Sequence, residues 1–522
     1  MKLLIFFSFF GALALVFGAS GVHAQVTTSQ YDNLRTGATL GEKTLTPQNV
    51  NASQFGKLGA FKVDGAVYAQ PLFVPGVEIA GKGKHDVLFV ATEHDSVYAF
   101  DAYRPGDAPL WRVSLLDKRR GEETVPAGDV QCPFIQPEVG ITSTPVIDLQ
   151  SGTLYVLARS MIGHWFADNE YFQRLHALAI NTGAEKFGGP VQITASVRGK
   201  GDGTGEVRFD ALRENPRAAL LLVNNIVYLT WASSCDVAPY HGWVMAYDAQ
   251  TLAQKAVLNV TPDGIQGGIW ASDTGPGVDA SGNVYVPTGN GTFDAASGGR
   301  DYGDTLLKLA LDGSSLVVRD YFTPFNQEQL NDSDADLGSS GPTLLPDQPG
   351  PHRHLLVQPT KGGMIYVIDR DQMGQFRTDG DAVVQRIRMS GGGLGAMAYW
   401  NGQVYFACGN DRLRDYAVEN GQLKMRASSS IRFDGATPSV SADGSKNAIV
   451  WAVTTKMWNG PERTAVLYAF DAIKLDEPIY TSEQNDKRDR AGLATRFVIP
   501  LVVNGHVYFS ARGEVEIYGL LQ

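Results

Sequence analysis

Residues 268–361 hold most of the side chains for which a chemistry can be argued. They offer an indole (Trp270, in GGIW), an amide on a glycine turn (Thr288-Gly289-Asn290), a run of carboxylates (Asp332, Asp334 and Asp336, in DSDADLGSSGP) and an ammonium (Lys361, in KGGMIYVID). A flat aromatic face suits a planar ligand, oxygen donors suit a hard cation, and a carboxylate takes up a proton. Each also has a plain structural use. An indole fills gaps between packed sheets, Thr-Gly-Asn ends a strand in a turn, an Asp run makes a solvated loop, and a lysine fits a hairpin turn. The choice rests on whether the fold brings the four together, so the elements that carry them come next.

One strand pattern recurs along the chain. A strand entered after a turn, often through Thr-Pro or Gly-Pro, is followed by a Gly or Asn turn, a V-Y strand, and a strand ending near Asp. Copies of that last strand are VYAFDA (97–102), LHALAINTG (175–183), VMAYDA (244–249), LLKLALDG (306–313), IYVIDRD (365–371), LRDYAVENG (413–421), LYAFDA (467–472) and VEIYGLL (515–521). A spacing of roughly 40 to 75 residues fits four-stranded propeller blades with insertions, and the period-2 alternation of NVYVPTG and GHVYFSA is that of strands. The prediction is all-β: an eight-bladed β-propeller of four-stranded antiparallel blades. Its last unit stops after the third strand, so FGKLGAFKVDG (55–65) is expected to supply the outer strand and close the ring.

Residues 1–24 read as a secretory signal, with Lys2, an apolar core and a Val22-His23-Ala24 cleavage pattern. Residues 25–522 are then a single exported propeller domain, secreted or periplasmic, with no later stretch apolar and long enough to span a membrane. The net charge of −11 speaks against a nucleic-acid binder. No C-x-x-C-H occurs, so no covalent haem is encoded. Of the three cysteines, Cys408 (in VYFACGN) reads as a small buried hydrophobe.

In an up-and-down blade, the turn between strands two and three shares a face with the connection to the next blade. Six long segments (117–140, 160–173, 195–215, 231–241, 290–303 and 325–339) fall on that face against two on the other (near 76–85 and 347–354), which marks it as functional. Cys132 and Cys235 lie on it in neighbouring units, either joined or as two thiols.

At these residues the chain resembles the quinoprotein alcohol dehydrogenases, eight-bladed propellers that bind pyrroloquinoline quinone (PQQ) and calcium. The resemblance implies that Trp270 stacks under the quinone, Asn290 ligates calcium, Asp336 is the catalytic base and Lys361 contacts the quinone oxygens. Strand sorting places all four on the long-loop face independently. The chain also departs from the family pattern. The vicinal Cys-Cys pair is absent, with Cys132 alone in that loop, and Asp236 is the nearest carboxylate to the calcium-binding Glu position. Tyr68 and Val139 replace a Glu and an Arg, Leu394 and Gly395 stand where Asn and Trp are expected, and Phe433 replaces a further Trp.

Two functions are compatible with these residues. One is an exported oxidoreductase that uses PQQ and calcium on a small-molecule alcohol or sugar. The other is a non-catalytic propeller that serves as a binding or assembly module for an envelope protein.

Overall fold

The computed structural model describes residues 24–164, 167–393, 395–455 and 463–522. Of the predicted signal segment only Ala24 is among them, and Leu394 also lies outside them. Among the described residues the strands form eight antiparallel blades, with helix confined to short pieces such as Gln327–Asp332 and Asp486–Asp489. The innermost strands are Leu72–Ile79, Val146–Asp148, Leu221–Val223, Gly277–Val278, Thr343–Leu344, Ala398–Trp400, Ser439–Asp443 and Leu501–Val503. Those at Val146, Gly277, Thr343 and Ser439 begin directly after a Thr-Pro or Gly-Pro turn, as the strand pattern predicts.

The ring closes as expected from the sequence. The strand His506–Leu520 pairs through its first half with Leu501–Val503 and through its second half with Phe55–Ala66, so the N-terminal strand is the outer strand of the last blade. The repeat itself has a physical cause. In three blades the buried tyrosine of the V-Y strand donates its hydroxyl to an alanine carbonyl of the next blade, the alanine of the Asp-Ala pair. These bonds are Tyr155 to Ala249 (2.7 Å), Tyr405 to Ala472 (3.1 Å) and Tyr508 to Ala102 (3.0 Å). The last crosses the seam between blade eight and blade one, so the closure uses the same contact as the interior. A buried tyrosine needs such an acceptor, and the ring behind it fills the wedge between sheets. The apolar clusters accordingly lie between blades, as where Phe209 sets its ring edge-on to Trp231 and Trp243.

One element was not foreseen. Residues 26–39 thread the axis and bond to the inner edge of every blade. The carbonyl of Val26 accepts from Phe73, Thr27 from Ile147, Asn33 from Val278, Leu34 from Leu344, Thr36 from Tyr399 and Gly37 from Val440. Blade eight is met by the Tyr31 hydroxyl, which accepts from Val502 N at 2.7 Å. Blade three is met by Asn33 Nδ2 on Leu222 O (3.0 Å). Arg35, with no exposed surface, donates to Pro276 O (3.0 Å), Leu220 O (3.3 Å), Ser29 O (2.9 Å) and Thr28 Oγ1 (2.7 Å). Burial pulls its pKa down to about 10, yet the guanidinium stays charged at neutral pH and ties the strap to two blades.

Arg35→Ala should therefore cost about 3 kcal/mol or more, because it strands several buried acceptors at once. The denaturant midpoint measures this, and a shift equivalent to less than about 0.5 kcal/mol, typical of surface sites, would refute the role.

Candidate functional site

The chain connections on one face surround a cavity of about 460 Å³. Every lining segment is either a connection between blades (around 130–139, 215–217, 270–272, 334–339 and 496–497) or a turn between second and third strands (233–236 and 361). This is the face that the long loops marked. Trp270, Asp236, Asp336, Lys361, Cys132 and Cys235 all line the cavity. Asn290 sits directly behind its acidic wall.

Trp270 is half-buried on a backbone run that includes Ala271 (φ 36°) and Asp273 (φ 62°), both in the left-handed region that non-glycine residues avoid. The indole lies against the Thr288-Gly289-Asn290 turn. A Cβ on Gly289 would stand 3.1 and 3.2 Å from the indole Cδ1 and Nε1, and 2.5 Å from Asp336 Oδ1. Glycine is thus the one residue that lets the indole and the carboxylate pack against the same turn.

Asp336 is buried and fully engaged. Its Oδ1 accepts from the Asn290 backbone N–H (2.8 Å), and its Oδ2 accepts from Ser339 Oγ (3.0 Å) and faces Lys361 Nζ (3.3 Å). Asp334 accepts from Lys361 Nζ (2.5 Å) and Asn290 Nδ2 (3.0 Å). Burial opposes the Lys361 charge, but the carboxylates of Asp336 and Asp334 outweigh it and hold the ammonium pKa above its usual value. Asp236 accepts from the Tyr240 hydroxyl, and burial, with the charges of Asp336 and Asp334 nearby, raises its pKa. Asn290 Oδ1 is buried without a hydrogen-bond partner, an acceptor left over beside three carboxylates. Among the described residues no group of three or more His, Cys, Asp or Glu side chains is arranged to hold a metal, so a cation here would rely on amide and carboxylate oxygens together.

The facing wall was missed from sequence. Arg217 places its guanidinium 3.8 Å from the Phe497 ring centroid, donates to Thr142 O (2.9 Å) and pairs with Asp273 (3.3 Å). Arg496 lies over Phe134 (4.3 Å) and Phe497 (4.9 Å). Burial pulls Arg217 down to about 10 and lowers Arg496 as well. The signal was present. ENPRAALLLV and LATRFVIPLVV each carry an Arg just before an inner strand, on the same kind of connection between blades as Trp270 and Asp336. Cys132 and Cys235 are disulfide-bonded across 103 residues of chain, tying two long loops together at the cavity. Cys132 reaches there on an insertion folded as the hairpin Glu123–Pro126 with Glu138–Val139.

No family model matches the chain, and no curated protein does. Solved structures do. A quinohemoprotein alcohol dehydrogenase from Pseudomonas putida HK5 aligns with TM-score 0.64 at 14% identity, over 95% of this chain and 80% of that one. A quinohemoprotein alcohol dehydrogenase from Comamonas testosteroni gives 0.59 at 14% identity over the same shares. A europium-containing methanol dehydrogenase gives 0.61 at 14% identity, over 95% and 98%. The chain has the eight-bladed architecture of these dehydrogenases. At that identity the likeness is one of fold.

A second cavity of about 550 Å³ adjoins the site and is lined by Tyr68, Glu93, Gln136 and Arg512 among others. Glu93 Oε1 accepts from Ala66 N (3.1 Å), while its buried Oε2 has no partner, and burial raises its pKa to about 8.

Two outcomes are expected. Gly289→Ala should lose about 1–3 kcal/mol through overpacking against Asp336 and Trp270. The control Gly41→Ala, with nothing within 4 Å of its added carbon, should stay near wild type in the same melting experiment. Glu93 binds its proton more tightly in the folded state than in the unfolded chain, so it makes stability fall as pH rises from about 4.5 to about 8. Glu93→Gln should therefore narrow the difference in melting temperature between pH 5 and pH 8. An unchanged difference would show that Glu93 does not carry the proton.

Proposed function

We propose that this cavity binds PQQ together with a calcium ion, and that the protein is an exported oxidoreductase acting on alcohols or sugars. One observation carries the reading. An indole, three carboxylates, an ammonium and two guanidinium groups line a single cavity of a size suited to a small cofactor, and a buried amide oxygen without a partner, Asn290 Oδ1, lies behind its acidic wall.

The residues present fit such a group. Asn290 Oδ1 and Asp236 would be the hard oxygen ligands for calcium, and Trp270 would present the aromatic surface for a planar ring system. When bound, the quinone supplies a two-electron acceptor for hydride, polarised by the metal. The chain's own work is to position the substrate and take its proton. Asp336 Oδ2 accepts the proton of the substrate hydroxyl. The Asn290 N–H fixes the opposite oxygen, while Ser339 and Lys361 hold the reacting one in place. Lys361 also lies where the resemblance places the contact to the quinone oxygens. The disulfide fits an oxidising compartment, in keeping with a periplasmic or secreted location. No helix among the described residues is long and apolar enough to cross a membrane.

The test is reconstitution of the purified protein with PQQ and calcium, followed by alcohol- or sugar-dependent dye reduction. Loss of the base should lower kcat by about 100-fold or more in Asp336→Asn, with quinone absorbance still retained by the protein. A protein that fails to retain PQQ at micromolar concentration would instead be the non-catalytic module.

A further inference from the structure

A third cavity, of about 500 Å³, lies on the same face of the ring between blades two and three. Neither the proton chemistry nor the metal ligands described above use it. Asp202, Phe209, Asp210, Glu214 and His241 are among the residues that line it. The first four come from the connection between the two blades, which folds partly as the hairpin Ser196–Arg198 with Glu206–Arg208. His241 comes from the turn between the second and third strands of blade three.

Glu214 is 1% exposed and is anchored through one oxygen. Its Oε1 accepts from Trp243 Nε1 (3.0 Å) and from the His241 backbone N–H (3.3 Å), whereas Oε2 has no partner among the described residues. A buried polar atom left in that state is costly unless a ligand or water meets it. The neighbouring residue repeats the pattern. Glu214 and Asn215 form a short strand paired with Ala232 and Ser233, so their side chains leave it on opposite sides. Asn215 lines the first cavity, and its buried Oδ1 also lacks a partner. One strand therefore divides two cavities and carries an unused oxygen on each side. We propose that the third cavity is a saccharide-binding site, with a sugar hydroxyl seated against Glu214. That this sugar is part of the oxidised substrate rests on the function proposed above, while the site itself does not.

The lining selects that class of ligand. An ionised Oε2 needs a donor and a protonated one needs an acceptor, and a hydroxyl serves either. Asp210 and Asp202 each commit one oxygen within the protein. Asp210 Oδ1 accepts from the N–H groups of Leu212 (2.8 Å) and Arg213 (3.2 Å), and Asp202 Oδ1 faces His241 Nε2 (3.1 Å). Their second oxygens remain for further hydroxyls. Phe209, half-buried, offers an aromatic surface to the apolar face of a sugar ring. Among the described residues no group of three or more His, Cys, Asp or Glu is arranged to hold a metal, so these carboxylates are spread for a polyatomic ligand. The wall is also firmly packed: an added Cβ on Gly201 would lie 2.7 Å from His241 Cε1, which sets the hairpin loop directly on the imidazole. The volume falls within the roughly 300–1,000 Å³ of small-molecule sites.

The experiment uses the full chain without PQQ or calcium and reads binding by isothermal titration. The probes are cellobiose, sorbitol and, as an organic cation, spermidine. At least one of the two hydroxylated probes should bind, and Glu214→Gln should weaken that binding about ten-fold. This variant keeps an acceptor for Trp243 and His241 and replaces only Oε2, so its melting temperature should match wild type. Thr194→Trp enlarges an exposed residue of the same wall, fills the cavity and should abolish binding. Failure of both cellobiose and sorbitol to bind, wild-type affinity in either variant, or tighter binding of spermidine than of both overturns the site. A second titration with PQQ and calcium separates the two readings. Sugar binding by a protein that does not retain PQQ keeps the site and removes the redox function, and PQQ retention without sugar binding does the reverse.

Discussion

Eight inner strands converging on an axis turn their free edges toward one another across a gap too wide for direct pairing. Backbone groups left there without partners would each be costly, and the cost repeats with every blade. The N-terminal strap resolves this with at least one connection to each blade, from Val26 on blade one to Gly37 on blade seven, with Tyr31 reaching blade eight. The consequence reaches the site. The connections that carry Arg217, Trp270, Asp336 and Arg496 enter their inner strands at Leu220, Pro276, Leu344 and Val502, and each of these is held by the strap no more than eight residues from the cavity side chain. The strap acts as the common datum from which the site residues are placed.

On that datum the cavity is built with opposed walls. Asp236, Asp334 and Asp336 gather around Lys361, while Arg217 and Arg496 stack with phenyl rings beside Asp273. Partial neutralisation within each wall keeps the buried charges tolerable, since an ion left alone in a low-dielectric site is strongly penalised. Incomplete neutralisation leaves a field across the cavity, which acts on any ligand that enters. The Cys132–Cys235 disulfide holds long loops of neighbouring blades at the rim, so the mouth of this field does not depend on loop packing alone.

The fold was legible in the sequence because its signals are local and repeated. Strand alternation and Gly turns recur around the ring, the Asp-Ala pair returns in three of the wedges, and the tyrosine-to-alanine bonds to those three show why it returns. Most of the acidic wall was legible because Trp270, Asp334, Asp336 and Lys361 sit in one stretch, while Asp236 joins them from an earlier blade. The strap was not legible, because residues 26–39 carry no periodicity: their backbone bonds across the axis with residues hundreds of positions away, and side-chain type says little about such a role. The arginine wall was missed for a related reason. Arg217 and Arg496 lie far apart in the chain and join only when blade eight closes against blade one. Val139 stands where the resemblance expects an Arg, and the cationic side chains at the cavity come from other connections.

The spacing within the site is set by backbone as much as by side chains. The connection bearing Trp270 pairs with the one bearing Asp336: Ala271 N donates to Gly338 O at 3.0 Å and Ser272 N to Ser339 O at 2.9 Å. Gly338 in turn packs so closely on the Thr288-Gly289 peptide that an added Cβ would lie 2.4 Å from the Thr288 carbonyl carbon. Three consecutive loops thus interlock through main-chain contacts, and the small residues among them are the spacers that permit it. The connections that carry Asp336, Trp270 and Asn290 are held in this way at fixed mutual distances by their main chain. Preorganisation for charge development asks for that property, and one flexible loop carrying all three groups could not provide it.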